Sequence, residues 1–217
     1  QKNDGSWSMR GPYKNGGGPE NRNAATAMAL LAFQGAGHTH DTGEHKDVVT
    51  KGWDWLLKQQ AENGSFVPDG VPDNHQLYTH AQATIALCEL YGMTKDRQYR
   101  DAAQKAVNFC VFAQAEEGGW RYHPKRQSDT SVTGWFVMAL QSAMMAGLEV
   151  PSTTLAKISE YLDSVKVEDG RRYRYRPNSF INDAMSAEGL LCRQYLGWQQ
   201  DDPRLVDGIA RLVNDRP

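Results

Sequence analysis

The chain has 217 residues, a formal net charge of −2 and 40% hydrophobic residues. This length suffices for one domain with a buried core, and the near-zero charge excludes a general nucleic-acid binder. No run of about 18 apolar residues is present, so we predict no transmembrane segment. Three cysteines, Cys88, Cys110 and Cys192, lie within apolar stretches without metal-ligand spacing, so we interpret them as buried side chains.

Taken in chain order, the apolar residues recur with a helical period and are interrupted by glycine-rich turns at regular intervals. The predicted helices span residues 23–36, 45–60, 80–91, 97–114, 129–146, 152–166, 182–196 and 203–214. They pair into four helical hairpins. We expect one domain or segment over residues 1–217, excised from a longer protein.

A short phrase recurs at the end of each hairpin. The chain opens with Gln1, Gly5 and Trp7, and the same pattern of glutamine, glycine and aromatic residue returns twice. The later copies are Gln60, Gly64 and Phe66, then Gln114, Gly118 and Trp120. A fourth copy keeps Tyr173 but has Val167 in place of the glutamine. The four aromatic residues are 59, 54 and 53 residues apart, which indicates an internal repeat.

The two helices of each hairpin differ in composition. The first helix of a hairpin, such as 129–146, carries small and apolar residues on all sides, whereas the second helix, such as 97–114, is amphipathic. A helix that is apolar all round must be buried, and an amphipathic one must face water on one side. The pattern therefore predicts an all-α fold without a sheet, in which about four helical hairpins form concentric inner and outer layers.

The repeated phrase resembles the QW motif of squalene cyclases, whose toroid is shared with protein prenyltransferases. The stretches "GAGHTH", "GGWRYHP" and "DTSVTGWFVMALQSAMMAGL" are most similar to uncharacterised bacterial prenyltransferase/squalene oxidase repeat proteins. The resemblance implies that the glutamine amide bonds backbone groups of a neighbouring helix while the tryptophan stacks against it. It also implies that the hairpins form an α/α toroid, here a partial barrel, and that the ligand is apolar and isoprenoid-like.

In a toroid, the starts of the inner helices surround one end of a central cavity. The side chains expected there as candidate catalytic groups are His80, Asp129 and Asp183, and those expected to bind ligand are Asn23, Tyr78, Tyr122, Trp135 and Tyr175. Both aspartates are also good helix N-caps, and Thr79 fits a capping box. That leaves His80 without a capping role, so we expect its imidazole to face a carboxylate and its pKa to rise.

The chain contains only incomplete copies of the catalytic motifs of squalene cyclases and protein prenyltransferases. The acidic phrase of the cyclases corresponds to "RQSDTS", which keeps Asp129 but has Arg126 and Ser128 at the other acidic positions. Ser131 stands where prenyltransferases have a zinc-binding cysteine, and serine is a poor zinc ligand. We therefore expect no cofactor and no metal.

A ligand-rich loop lies at the opposite end of the inner layer. It reads "GHTHDTGEH" and contains His38, His40, Asp41, Glu44 and His45. We interpret these as solvated loop residues. They are too far from Asp129 to share one active site with it.

Three functions remain open. The first is a squalene-cyclase-like toroid that binds an isoprenoid lipid or another apolar small molecule. The second is a lyase, isomerase or glycan-processing enzyme in which His80 and Asp129 or Asp183 act as an acid/base pair. The third is a helical-repeat module with a protein partner. A large apolar pocket would favour the first function, and a hydrogen-bonded pair of histidine and carboxylate the second.

Overall fold

A computed structural model describes residues 1–11 and 18–214. Within these ranges it contains eight α-helices and one two-stranded sheet. The helices are α1 (Arg22–Gly35), α2 (Lys46–Leu57), α3 (Gln76–Thr94), α4 (Arg97–Ala113), α5 (Thr130–Ala146), α6 (Ser152–Val165), α7 (Asp183–Tyr195) and α8 (Pro203–Asn214). The predicted all-α class is confirmed. None of these helices is long and apolar enough to cross a membrane.

The expectation of no sheet was wrong in one place. Strands β1 (Lys166–Val167) and β2 (Arg172–Tyr173) pair antiparallel, with Lys166 opposite Tyr173. Gly170, at φ +91°, lets the chain reverse between them. This is the repeat in which Val167 replaces the glutamine.

The helices form two layers. In the inner layer α1 packs against α3, α3 against α5, and α5 against α7. Each even-numbered helix packs on the outside of the preceding odd-numbered one. In α4, Tyr99, Ala103 and Val107 are buried whereas Arg100 and Lys105 face solvent, which is the amphipathic stripe expected of an outer helix.

The repeated phrase connects successive outer helices. The Gln114 amide donates hydrogen bonds to the carbonyls of Gly118 and Thr154, at 2.8 and 3.1 Å. The corresponding Gln60 amide bonds the carbonyls of Gly64 and Ala102, at 3.2 and 2.9 Å. The expected role of the glutamine amide is thus confirmed.

The tryptophan of the phrase contacts the inner layer. Trp120 stacks on Phe136 of α5, with ring centroids 4.7 Å apart and planes 10° apart. Its Nε1 donates to the carbonyl of Cys110 at 2.9 Å. The ring is fully buried, and this hydrogen bond satisfies the one donor that it carries into the core.

The repeated phrase needs a glycine because the backbone of the next outer helix lies against this position. Gly118 has φ +97°, and a Cβ at this position would collide with the carbonyl oxygen of Lys157 in α6. Gly64 meets the carbonyl of Lys105 in the same way. Each glycine therefore allows a hairpin end to lie directly against the next outer helix.

Candidate functional site

Asp129 lies at the start of α5 and is completely buried. Its Oδ1 accepts the backbone N–H of Val132 at 2.8 Å, so it is the N-cap of this helix. Its own N–H donates to the carbonyl of Trp120 at 2.9 Å, which closes the intervening loop. The capping interpretation is confirmed, and it uses only one of the two carboxylate oxygens.

The second oxygen of Asp129 is the centre of a polar cluster. Oδ2 accepts a hydrogen bond from the Tyr175 hydroxyl at 2.8 Å and lies 3.3 Å from Nε of Arg121. The hydroxyls of Tyr122 and Tyr175 are 3.0 Å apart, and the Arg121 guanidinium lies over the Tyr122 ring, 4.7 Å from its centroid. Arg121, Tyr122, Asp129 and Tyr175 are called the Asp129 cluster below.

Tyr175 reaches this cluster from the next repeat. The backbone N–H of Thr130 donates to the Tyr175 carbonyl at 3.0 Å, and the Thr130 hydroxyl donates to the Arg174 carbonyl at 2.6 Å. These two bonds attach the segment after β2 to the first turn of α5. The Tyr175 ring is thereby held above Asp129 although 46 residues separate them.

Tyr78 and Ser131 lie on the α3 side of the same helix start. The Tyr78 hydroxyl donates to Oγ of Ser131 at 2.9 Å. Burial, with a smaller contribution from the negative charge of Asp129, raises the pKa of Tyr78 to about 12. Ser131 therefore accepts a tyrosine hydrogen bond at the position where the prenyltransferase resemblance would place a zinc ligand.

Glu188 of α7 is directed at α5. A Cβ at Gly134 would collide with its carboxylate, so glycine at this position makes room for the glutamate head. Burial, followed by the negative charge of Asp129, raises the pKa of Glu188 to about 8. Burial also raises the pKa of Asp129 itself, against hydrogen bonds from Val132 and Tyr175 that lower it. Glu188 therefore gains or loses a proton close to neutral pH.

Two clefts border the cluster, and both are polar. One, of about 470 Å³, is lined by Arg121, Tyr122, His123, Lys125, Arg126 and Gln127. The other, of about 440 Å³, is lined by Glu117, Ser128, Arg176, Pro177, Asn178 and Ser179. Arginine and lysine side chains give the first cleft a positive charge. Its lining suits an anionic ligand rather than an isoprenoid one.

His80 lies elsewhere, deep in the core. The Phe66 N–H donates to its Nδ1 at 3.2 Å, so the ring proton is on Nε2, which is 3.1 Å from the Ala106 carbonyl. Burial lowers the pKa of His80 to about 3, in contrast to the rise expected from a carboxylate partner. The recorded ring partners, Phe66, Ala106, Thr84 and Cys110, include no carboxylate within the described part of the chain.

The remaining predicted site residues have other contacts. Asn23 is buried and donates to the Phe66 carbonyl at 3.0 Å. Asp183 is exposed and pairs with Arg172 at 3.1 Å, while Asn182 takes the N-cap role of α7. Trp135 is partly buried against the core.

The structure therefore joins Tyr122, Asp129 and Tyr175, with Tyr78 adjacent, and does not join His80 or Asp183 to them. Sequence reasoning did not single out Arg121 and Glu188. Arg121 could have been found because it belongs to the repeated "WRY" phrase, whose later copy contains Arg174. Glu188 is the second acid of α7, after Asp183, and nothing in the local sequence distinguishes it as a site residue.

Comparison with known proteins connects this region to one family. Residues 81–176 match the family model described as pectic acid lyase. The matched segment contains all four residues of the Asp129 cluster. No curated protein matches the chain.

The expected relationship to squalene cyclases and prenyltransferases is therefore wrong, because the matching family is a pectic acid lyase. The motif that suggested it holds backbone groups of neighbouring hairpins together, and none of the side chains of Gln114, Gly118 and Trp120 belongs to the Asp129 cluster. Such a motif reports how helices are connected rather than what they catalyse. Among the functions left open by the sequence, the match favours a lyase over an isoprenoid-binding toroid.

Proposed function

We propose that this chain is a lyase that cleaves an acidic polysaccharide of the pectic acid type, with its chemistry at the Asp129 cluster. The observation that carries the proposal is the coincidence of two findings. The segment similar to pectic acid lyases contains the whole cluster, and two cluster residues, Arg121 and Tyr122, also line the positively charged cleft.

The cleft matches the charge of such a substrate. Pectic acid is a polymer of uronate sugars, so each unit presents one carboxylate. Arg121, Lys125 and Arg126 offer cations along one wall, and a guanidinium can bind a carboxylate through two parallel hydrogen bonds. We infer that these side chains place successive uronates along the cleft.

Cleavage of a uronate chain by a lyase is an elimination. A base removes the proton on the carbon next to the carboxylate, a carbon–carbon double bond forms, and the bond to the glycosidic oxygen breaks. The departing oxygen then takes up a proton. The reaction therefore needs a cation beside the carboxylate, a proton acceptor and a proton donor.

The cluster and its neighbour supply these three groups. In the proposal Arg121 neutralises the substrate carboxylate, the ionised Glu188 removes the proton, and the Tyr122 hydroxyl protonates the departing oxygen. A carboxylate with a pKa of about 8 is a stronger base than an ordinary glutamate. Asp129 is a positioning residue, since it is held by Val132 and Tyr175 and fixes Arg121.

The test is turnover of polygalacturonate by the full chain, followed through the ultraviolet absorbance of the unsaturated product. We expect Arg121→Ala and Glu188→Gln each to lower kcat/KM by at least about 100-fold. Arg100→Ala, which removes an exposed arginine of α4, is the matched control and should leave kcat/KM unchanged.

Methyl-esterified pectin offers a second comparison because it lacks most of the carboxylate charge. The wild type should turn it over more slowly than polygalacturonate. Absence of turnover on every uronate polymer, or unchanged turnover in the folded Arg121 and Glu188 variants, would overturn the proposed function.

A further inference from the structure

A second group of chemistry-bearing side chains lies in the loop between α1 and α2. His38, Glu44 and His45 each offer one ligand atom, and the three atoms lie within 4.8 Å of one another. The rings of His38 and His45 have centroids 4.7 Å apart, and Nε2 of His45 is 3.3 Å from a carboxylate oxygen of Glu44. Two imidazoles and one carboxylate thus converge.

The backbone presents these side chains from two helix ends. His38 follows Gly37 at the end of α1, and its N–H donates to the Phe33 carbonyl at 2.9 Å. His45 is the residue before α2, where its side chain makes no capping hydrogen bond, and its carbonyl accepts the N–H of Val49 at 3.0 Å. Both histidines are therefore anchored by helical backbone.

The loop between them is itself ordered by hydrogen bonds. Thr39 is buried, and its hydroxyl lies 2.7 Å from that of Thr42. The Thr39 N–H donates to the Thr42 carbonyl at 3.1 Å. Gly43, at φ +86°, packs so closely on the His38 ring that a Cβ would collide with Nδ1. The short loop thereby turns Glu44 and His45 back toward His38.

The other polar side chains of the loop have different partners. Nε2 of His40 lies 3.0 Å from Oδ2 of Asp96, and Asp41 accepts the Thr39 hydroxyl at 2.5 Å. Nδ1 of His38 is buried and has no hydrogen-bond partner among the described residues, and the same holds for Nδ1 of His40, whose other ring nitrogen lies beside Asp96. The sequence "GHTHDTGEH" is thus divided by the fold into side chains that hold the loop and three that remain for a ligand.

Two imidazoles and one carboxylate form a ligand set that favours Zn²⁺ over Mg²⁺ or Ca²⁺, which prefer oxygen donors. Bonds of about 2.1 Å in a tetrahedral site place donor atoms about 3.4 Å apart. Glu44 and His45 are exposed, so small side-chain rotations can bring the present separations to that value. Phe33 lies beneath both rings, at 6.3 and 5.4 Å between centroids, and gives the site an apolar floor.

We propose that His38, Glu44 and His45 bind one zinc-like divalent cation, with water completing the coordination. The cation connects the end of α1 to the start of α2 and stabilises the first hairpin. The site is separate from the Asp129 cluster, because His38 lies at the far end of an inner helix about 20 Å long.

The experiment is isothermal titration of the metal-free full chain with zinc chloride near neutral pH. We expect one site in the wild type, and His38→Ala and His45→Ala each to weaken zinc binding by about 100-fold. Glu44→Gln should weaken it less, by about 10-fold, because the amide oxygen is a poorer ligand. The matched control is His75→Ala, which removes a histidine outside the loop and should bind zinc as the wild type does.

Two further readouts keep the test independent of any one variant. Cobalt(II) added to the metal-free wild type should give the visible absorption of a four-coordinate site, and the His38→Ala/His45→Ala double variant should lack it. Zinc should raise the Tm of the wild type but not that of the double variant. No zinc binding by the wild type, or equal binding by the folded double variant, would overturn the proposal.

Discussion

The backbone N–H of Phe66 donates a hydrogen bond to Nδ1 of His80 at 3.2 Å. In each of the other repeats, the backbone N–H of the aromatic residue of the repeated phrase donates in the same way to a hydroxyl of the following inner helix. The pairs are Trp7 with Thr26 at 2.9 Å, Trp120 with Thr133 at 3.0 Å, and Tyr173 with Ser186 at 3.1 Å. His80 therefore occupies the position of a threonine or serine, and its place in the core follows from the repeat.

Replacement of His80 by glutamine tests this structural role. The folded-state pKa of about 3 lies below the ordinary 6.5, so between these values the unfolded chain binds a proton that the folded chain does not. The stabilising effect of neutral His80 is complete above pH 6.5 and is lost as the pH falls toward 3. His80→Gln should therefore flatten the fall of unfolding free energy over this range, measured by urea titration.

The surface histidine His123 supplies the control for this prediction. It lies 3.5 Å from Asp73 and is only partly buried, so His123→Gln should keep the acid dependence of the wild type. An equally steep acid dependence in His80→Gln would show that another group is responsible.

The close approach at Gly118 can be separated from its positive φ. Gly118→Ala introduces both a strained backbone and a collision with the Lys157 carbonyl, whereas Gly147→Ala at φ +82° meets no described residue within 4 Å. We expect Gly147→Ala to cost about 1 kcal/mol of unfolding free energy and Gly118→Ala about 2–4 kcal/mol. Chemical denaturation of both variants measures the difference, and equal losses would contradict the proposed contact.

Two fully buried tryptophans form a matched pair for measuring one hydrogen bond. Trp120 Nε1 donates to the Cys110 carbonyl at 2.9 Å, whereas Trp53 Nε1 has no partner within the described residues. Substitution by phenylalanine removes similar ring volume at both positions. We expect Trp120→Phe to lower the unfolding free energy by about 1–2 kcal/mol more than Trp53→Phe, because only the substitution of Trp120 leaves a buried carbonyl without its hydrogen bond. Urea midpoints that fall equally would refute this assignment.

The raised pKa of Glu188 has a consequence for stability as well as for catalysis. The pKa of Glu188 is about 8 in the folded state and about 4.5 in the unfolded chain. As the pH rises between these values, the unfolded chain ionises this carboxyl group first, so the folded state loses stability. Glu188→Gln should therefore stabilise the protein relative to the wild type, by about 1–2 kcal/mol above pH 8 and by less at pH 5. Thermal unfolding at several pH values measures it, with the exposed Glu62→Gln as control. A stability difference that is independent of pH would contradict the burial of this carboxylate.

The sequence by itself determined the helices and the contacts that connect them. Apolar periodicity, the N-cap at Asp129 and the glycine-ended turns are local features, because each depends on residues a few positions apart. The repeat marked Gln60 and Gln114 as equivalent positions, and the resemblance to the QW motif implied that their amides bond a neighbouring helix. The start of α3 was misplaced by four residues, because the repeat position filled by His80 is not the first position of its helix.

Only the tertiary structure decided which side chains meet. The sequence placed Tyr175 and Asp129 at one end of the inner layer, but only packing shows that the Tyr175 hydroxyl bonds Asp129. Packing alone also places Glu188 over Gly134 and His38 beside His45. These contacts depend on how neighbouring repeats pack sideways, and no spacing along the chain encodes that distance. The conspicuous repeated motif led to the wrong family for the same reason. It satisfies backbone hydrogen bonds that any stack of helical hairpins must satisfy, whereas the chemistry depends on side chains that packing brings together.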